Sequence, residues 1–138
     1  MTDTVGILDT NTLILVGRLR VDDLPAEPLI TAITLAELSV GPLVTDDEPE
    51  RAARQARLQE AEAVFEPLPF DAAAARAYGR VAASVRRAGR KTTARAFDAL
   101  IAATAIANDL PLYTCNPRDF DGISEVSVVP IPHPDTGS

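Results

Sequence analysis

The chain is poor in the residues that build disulfides and zinc sites. Its 138 residues include one cysteine, one histidine and no tryptophan. Cys115 therefore has no partner for an intramolecular disulfide, which suits a reducing cytoplasm, and no Cys/His cluster for zinc can form. No apolar run reaches the roughly 18 residues of a membrane span. The first residues, MTDTVG, lack the basic and apolar regions of a secretory signal.

The residues that are present are typical of one globular domain. Apolar residues make up 46% of the chain and charged residues 24%, and the length is sufficient to bury a core. We expect a single cytoplasmic domain over residues 1–138, with its core in about 4–131 and a flexible tail at 132–138.

The charge of the chain is acidic overall but uneven along the sequence. A net charge of −7 argues against nucleic-acid binding when it is read alone. Residues 76–95, RAYGRVAASVRRAGRKTTAR, nevertheless carry seven basic groups and no acid, whereas the remainder carries six basic groups and all twenty acids. Two interpretations stay open: a solvated helix face rich in arginine, or a local patch that contacts phosphates.

Short apolar segments alternate with helical segments along the chain. Strands are predicted at residues 4–9, 29–31, within VFEPLPF at 64–70, at 110–114 and at 126–131. Helices are predicted at residues 11–20, 34–41, 47–65, 71–89 and 95–109, with Asn11 or Thr12 as the cap of the first. This alternation predicts an α/β fold of three layers, α/β/α, around a short parallel sheet of about four to five strands.

Acidic residues stand at unusual places in this pattern. Asp9 directly follows the apolar segment VGIL, where a carboxylate is costly unless something compensates it. Asn116 and Asp119 follow the fourth predicted strand, and parallel sheets place their functional sites outside the carboxyl ends of the strands. Glu37 in ITLAELSVG and Asp98 in RAFDALIAATAIA are also surrounded by apolar residues. We therefore expect these four acids at one end of the sheet.

Three of these acids also have a structural explanation of their own. Thr34 and Glu37 have the spacing of a capping box, the helix dipole favours Asp98 in a first turn, and Asp119 would stabilise a turn. None of these explains why four such acids share one end of the sheet. Carboxylates gathered without bases resist ionisation, and a divalent cation reverses that cost. Mg²⁺ and Mn²⁺ prefer such hard oxygen ligands.

Four short motifs, in this order, carry a family resemblance: LDTN at 8–11, AEL at 36–38, FDALIAATA at 97–105 and YTCNPRDF at 113–120. Together they resemble PIN-domain ribonucleases, in particular the VapC-type toxins of bacterial toxin–antitoxin pairs, over residues 5 to about 129. The resemblance implies a catalytic, metal-binding site made of Asp9, Glu37, Asp98 and Asp119. It makes Asp9 and Asp98 direct ligands, and gives Glu37 a metal-bound water or a second ion.

The resemblance also assigns polar residues beside the acids. Thr10, Asn11 and Asn116 match small polar positions next to the site, where they would contact substrate. Cys115 departs from the pattern, because a basic residue is common there, and this puts one phosphate contact in doubt. Asp121 is an additional acid that we interpret as a surface residue. From the basic segment, the candidate substrate contacts are Arg86, Arg87, Arg90 and Lys91.

The implied reaction is hydrolysis of phosphodiester bonds in single-stranded or looped RNA with one or two Mg²⁺ ions, or Mn²⁺ in their place. The implied partners are a second copy of the chain and a cognate VapB-type antitoxin that covers the acidic groove. Two alternatives stay open. A phosphatase of the haloacid dehalogenase type would need a second Asp where Asn11 stands. A catalytically inactive PIN fold would serve only to bind RNA or protein, although all four acids are present.

Overall fold

The computed structural model describes residues 4–91 and 95–136. In these residues a four-stranded sheet has the order β2-β1-β3-β4, and every neighbouring pair is parallel. The strands are β1 (Val5–Leu8), β2 (Glu27–Leu29), β3 (Leu112–Thr114) and β4 (Val128–Pro130). The α-helices are α1 (Thr10–Leu15), α2 (Ala32–Val40), α3 (Glu48–Val64), α4 (Ala72–Arg87) and α5 (Ala96–Ala107). The predicted α/β fold with a short parallel sheet is confirmed.

Two apolar clusters cover the two faces of the sheet. Successive side chains of a strand point to opposite faces, so Ile7 and Leu8 of β1 belong to different clusters. Ile7 packs with α4 and α5, as in its cluster with Val81 and Ile101. Leu8 packs with α1, α2 and α3, in a cluster that includes Leu38. The sheet is therefore the middle of three layers, as the sequence predicts.

Two strand predictions were wrong, and proline explains both. The second strand lies at Glu27–Leu29 rather than 29–31 and contains Pro28; it is an edge strand, where a residue without an N–H is tolerated. Segment 64–70 forms no strand within the described residues. Leu68 makes only an isolated parallel bridge to Thr31, because the prolines on either side of it have no N–H to continue a ladder.

The first helix also differs from its prediction. It begins at Thr10 and ends at Leu15, and a 3₁₀ turn over Val16–Arg18 follows. Its N-cap is Asp9, whose side chain accepts a hydrogen bond from the Thr12 N–H, so neither Asn11 nor Thr12 is the cap. Strand β1 therefore runs into helix α1 with a single residue between them, and that residue is the candidate metal ligand.

The C-terminal residues that the structure describes lie against the body of the domain. Asp135 forms an ion pair with Arg18, and its N–H donates to His133 Nδ1 at 3.1 Å. This contact links the segment predicted as a tail to the turn after α1.

Within the described residues, no helix combines the length and the apolar character needed to cross a membrane.

Candidate active site at the carboxyl end of the sheet

Asp9 is buried at the end of β1 with 2% of its surface exposed. One carboxylate oxygen accepts from the Thr12 N–H at 3.2 Å, and the other accepts from the Thr114 hydroxyl at 2.7 Å. Burial is the largest influence on the pKa of Asp9 and raises it; the hydrogen bonds from Thr12 and Thr114 lower the pKa, and the charge of Asp119 raises it. Asp9 is thus fixed by one donor from the first turn of α1 and one from the end of the adjacent strand β3.

Two threonine hydroxyls connect Asp9 to the turn after β3. Thr114 Oγ1 also accepts a hydrogen bond from the Asn116 N–H at 2.9 Å. The single hydroxyl proton of Thr114 is therefore available to donate to Asp9. Thr12 Oγ1 accepts from the Cys115 N–H at 3.0 Å. Thr114 was not among the predicted site residues. The available signal was its position, a polar residue at the end of a buried strand that neighbours β1.

Glu37 lies on α2 and is partly buried. Its carboxylate accepts from Thr10 Oγ1 at 2.6 Å, and Thr10 Oγ1 lies 3.0 Å from Thr34 Oγ1. The capping-box explanation is wrong, because Thr31 is the N-cap of α2 and Glu37 binds a side chain of α1. Burial raises the pKa of Glu37, the Thr10 hydrogen bond lowers it and the charge of Asp9 raises it.

Asp98 lies in the first turn of α5, and its pKa is affected by the charges of the other three candidate site acids. Its pKa is raised to about 6, first by burial and then by the charges of Asp119, Asp9 and Glu37, while Arg95 opposes the rise. Asp119 lies on the 3₁₀ turn Pro117–Phe120 after β3 and forms an ion pair with Arg95. Arg95 was predicted only as part of the basic segment and not as a partner of these acids. The structure brings the four predicted acids within electrostatic reach of one another.

These acids fit a hydrated divalent cation. Within residues 4–91 and 95–136, no three acidic, histidine or cysteine side chains are close enough to enclose a metal by themselves. Magnesium commonly takes only one or two carboxylates, keeps several waters and adds substrate phosphate. The raised pKa values of Asp9, Glu37 and Asp98 show carboxylates that are costly to ionise in this pocket. A cation would remove that cost.

The predicted polar contacts occupy different positions around the acids. Thr10 is buried and its hydroxyl already holds Glu37. Asn11 is exposed on the first turn of α1. Asn116 is partly buried at the start of the 3₁₀ turn that carries Asp119. Asn11 and Asn116 are therefore at least partly accessible to solvent, whereas the hydroxyl of Thr10 is already bonded to Glu37.

The basic segment divides into two parts. Arg90, Lys91 and Arg95 line a cavity of about 360 Å³ together with Asp119. Arg87 lines another cavity of about 370 Å³, which is formed by α4 and residues 123–125. Arg86 is exposed and lines neither cavity. The structure thus places Arg90 and Lys91, but not Arg86, in the same cavity as Asp119. Asp121 is exposed, as predicted, and lies 3.7 Å from Arg90.

A parallel α/β sheet with acids gathered at its carboxyl end is the arrangement that the resemblance implies. Residues 7–126 match the family described as PIN domain, and the chain belongs to the PIN-domain family. Its relatives within that family are VapC proteins. It is 37% identical over 135 residues to Ribonuclease VapC5 of Mycobacterium tuberculosis, covering 93% of this chain and 96% of the relative. It is 32% identical over 103 residues to Ribonuclease VapC of Rickettsia bellii, covering 75% of each.

A solved structure gives the same result. The crystal structure of VapBC-5, a member of the VapBC family of toxin–antitoxin systems from M. tuberculosis, is similar with a TM-score of 0.80. The sequences are 34% identical, and the similarity covers 93% of this chain and 99% of that chain. The predicted family and fold are confirmed.

Proposed function

We propose that this protein is a metal-dependent endoribonuclease that acts as the toxin of a VapBC-type pair. The observation that carries the proposal is the meeting of Asp9, Glu37, Asp98 and Asp119, which come from four separate segments of the chain. A fold needs no such concentration of costly carboxylates for its stability. The names of the VapC relatives support RNA as the substrate.

The residues of the site would divide the work as follows. When bound, a divalent cation supplies an activated water and neutralises charge on the phosphate. Asp9 and Asp98 would hold the cation, and the Thr114 hydroxyl fixes the orientation of Asp9. Glu37 would orient a water, since Thr10 holds its carboxylate in place. The basic side chains of Arg90, Lys91 and Arg95, which line the cavity beside Asp119, would contact the phosphate backbone.

The direct test is cleavage of RNA with and without metal. We expect the purified protein to cut single-stranded RNA in Mg²⁺ or Mn²⁺, to lose this activity in EDTA and to regain it when the metal is restored. Mg²⁺ should also raise the melting temperature, because the folded state alone offers the site. Unchanged cleavage in EDTA would refute metal dependence. Tight RNA binding with no cleavage under any metal would favour the inactive binding module.

The antitoxin partner forms the second part of this proposal. Its support is the similarity to solved VapBC structures and an apolar groove between α1 and α3. Ile14 and Val64 line this groove and are 38% and 66% exposed. A VapB-type protein encoded beside this chain should bind it and suppress cleavage. If the two proteins copurify and cleavage continues at full rate, the partner does not cover the acidic site.

Self-association is a separate prediction. The family resemblance and the alanine-rich helices favour a homodimer, since small side chains allow close packing of helices. Sedimentation velocity at micromolar concentration should show a species of twice the 14.7 kDa chain mass. A single monomeric species throughout that concentration range would contradict the dimer.

The basic segment should contribute phosphate contacts at its C-terminal end. Replacing Arg90 and Lys91 together with glutamine should weaken RNA binding and reduce the magnitude of the log–log salt slope by roughly 0.7 for each lost contact. Replacing Arg86 and Arg87 should have a smaller effect, because neither residue lines the cavity that contains Asp119. Fluorescence anisotropy with labelled RNA at several salt concentrations measures both. If the two double variants and the original protein have equal salt slopes, the basic segment is a solvated helix face and does not contact phosphates.

A further inference from the structure

Phe97 is an unusual residue for its helix. It is 56% exposed, and it is the one exposed residue within α5, Ala96–Ala107. Among the described residues it is also the one exposed aromatic side chain, since the other phenylalanines and both tyrosines are partly or fully buried. Exposed apolar surface next to a functional site commonly marks a contact with a ligand or partner.

The helix geometry places Phe97 relative to the acids. Consecutive residues of an α-helix are about 100° apart around its axis, so Phe97 and Ala99 project on opposite sides of Asp98. Ala99 lines the cavity that contains Arg90, Lys91 and Arg95. Asp98 therefore lies between the basic side chains of this cavity on one side and the exposed aromatic ring of Phe97 on the other.

This arrangement has the chemistry of a binding site for single-stranded RNA. Proteins hold single strands by cations along the backbone and by aromatic rings on which bases stack. We propose that Phe97 is the stacking platform for one base of the substrate, and that the strand crosses the acids with its backbone continuing into the cavity of Arg90, Lys91 and Arg95. The inference rests on the proposed ribonuclease function. It gives Phe97 a substrate contact that neither the sequence analysis nor the family motif assigns to it.

The first experiment pairs a protein change with a substrate change. Phe97→Ala should raise KM for a short RNA by roughly 5- to 150-fold, the effect of losing one stacked base, and leave kcat within about twofold. The substrates are oligonucleotides that each lack one base at a successive position. For one of these oligonucleotides, the one that lacks the stacked base, Phe97→Ala and the original protein should have the same KM. Leu43→Ala is the matched control, because Leu43 is 83% exposed and lies on a different turn.

The second experiment measures the stack directly. The chain has no tryptophan, so Phe97→Trp introduces a single fluorescent reporter at the proposed platform. RNA added in Ca²⁺ instead of Mg²⁺, to permit binding without cleavage, should quench this fluorescence. The oligonucleotide that lacks the base at the identified position should bind with little quenching. Leu43→Trp should show no quenching with either substrate.

The outcomes separate this inference from the proposed function. Normal cleavage and RNA affinity in Phe97→Ala, with no quenching in Phe97→Trp, would overturn the stacking contact and leave the ribonuclease intact. Absence of RNA binding and cleavage in the original protein would overturn both. If Phe97→Ala converts a dimer to monomers in sedimentation without changing the RNA affinity of each protomer, Phe97 contacts a second copy of the chain and the inference is wrong.

Discussion

Asp98→Asn is expected to abolish RNA cleavage and, in metal-free buffer at neutral pH, to raise the melting temperature. The two effects have one cause. Asp98 lies among Asp9, Glu37 and Asp119, whose charges, together with burial, raise its pKa to about 6. Without metal its ionised carboxylate opposes folding, so removing the charge relieves that cost. With metal the same carboxylate is a ligand, and its loss should reduce the cleavage rate by several orders of magnitude.

The stabilisation of Asp98→Asn should depend on pH in a defined direction. Between the ordinary aspartate pKa of 3.8 and the folded value of about 6, the folded state binds more protons at Asp98 than the unfolded state does. The free energy of unfolding of the original protein should therefore fall as the pH rises through this interval. The advantage of Asp98→Asn should be small near pH 4 and fully present above about pH 6. Melting curves in EDTA at several pH values measure it.

Magnesium should reverse the order of the two proteins. Mg²⁺ should raise the melting temperature of the original protein by mass action and raise that of Asp98→Asn much less. If Asp98 only stabilises α5 through the helix dipole, its replacement should instead lower the free energy of unfolding by roughly 0.3–1 kcal/mol in metal-free buffer. Mg²⁺ should then change the melting temperature of neither protein. An Asp98→Asn enzyme that cuts RNA at the original rate would show that the catalytic assignment is wrong.

The clustering of the four acids could be predicted from the sequence because two strong rules applied to them. A carboxylate within an apolar segment is rare enough to need an explanation, and parallel strands present their carboxyl ends at one edge. Asp9 and Asp119 follow from the second rule, and Glu37 and Asp98 from the first. Helices α3, α4 and α5 were predicted close to their observed bounds, because their composition and their N-terminal acids favour helix over long stretches.

The hydroxyl network was not found from the sequence, because a threonine gives no comparable signal. Thr10, Thr12 and Thr114 act through contacts with residues 27, 103 and 105 positions away. Threonine is also common in strands and at helix starts for local reasons. Only the tertiary structure shows which group each hydroxyl contacts. The short strand β2 was misplaced because it contains Pro28, which is disfavoured within a strand, and because its pairing with β1 sets its bounds.

Asp9 combines a structural and a proposed chemical role, and paired substitutions should separate them. Asp9→Asn and Asp9→Ala both remove the buried charge, and both should abolish cleavage because the proposed metal loses a ligand. Asparagine keeps an oxygen that accepts from the Thr12 N–H and an amide group that meets the Thr114 hydroxyl. Alanine leaves both groups without their partner in a buried site.

The asparagine variant should therefore be the more stable of the two by about 1–2 kcal/mol, the usual value of an N-cap side chain. Since both variants are neutral at residue 9, this difference excludes the cost of burying the charge and measures the hydrogen bonds together with the packing of the asparagine side chain. Urea unfolding in EDTA, run beside the cleavage assay on the same samples, gives both quantities. Equal stability of the two variants would show that the hydrogen bonds of Asp9 do not hold the junction of β1 and α1. Retained cleavage in Asp9→Asn would show that the charge is not needed to bind metal, and the ligand assignment would then pass to the remaining acids.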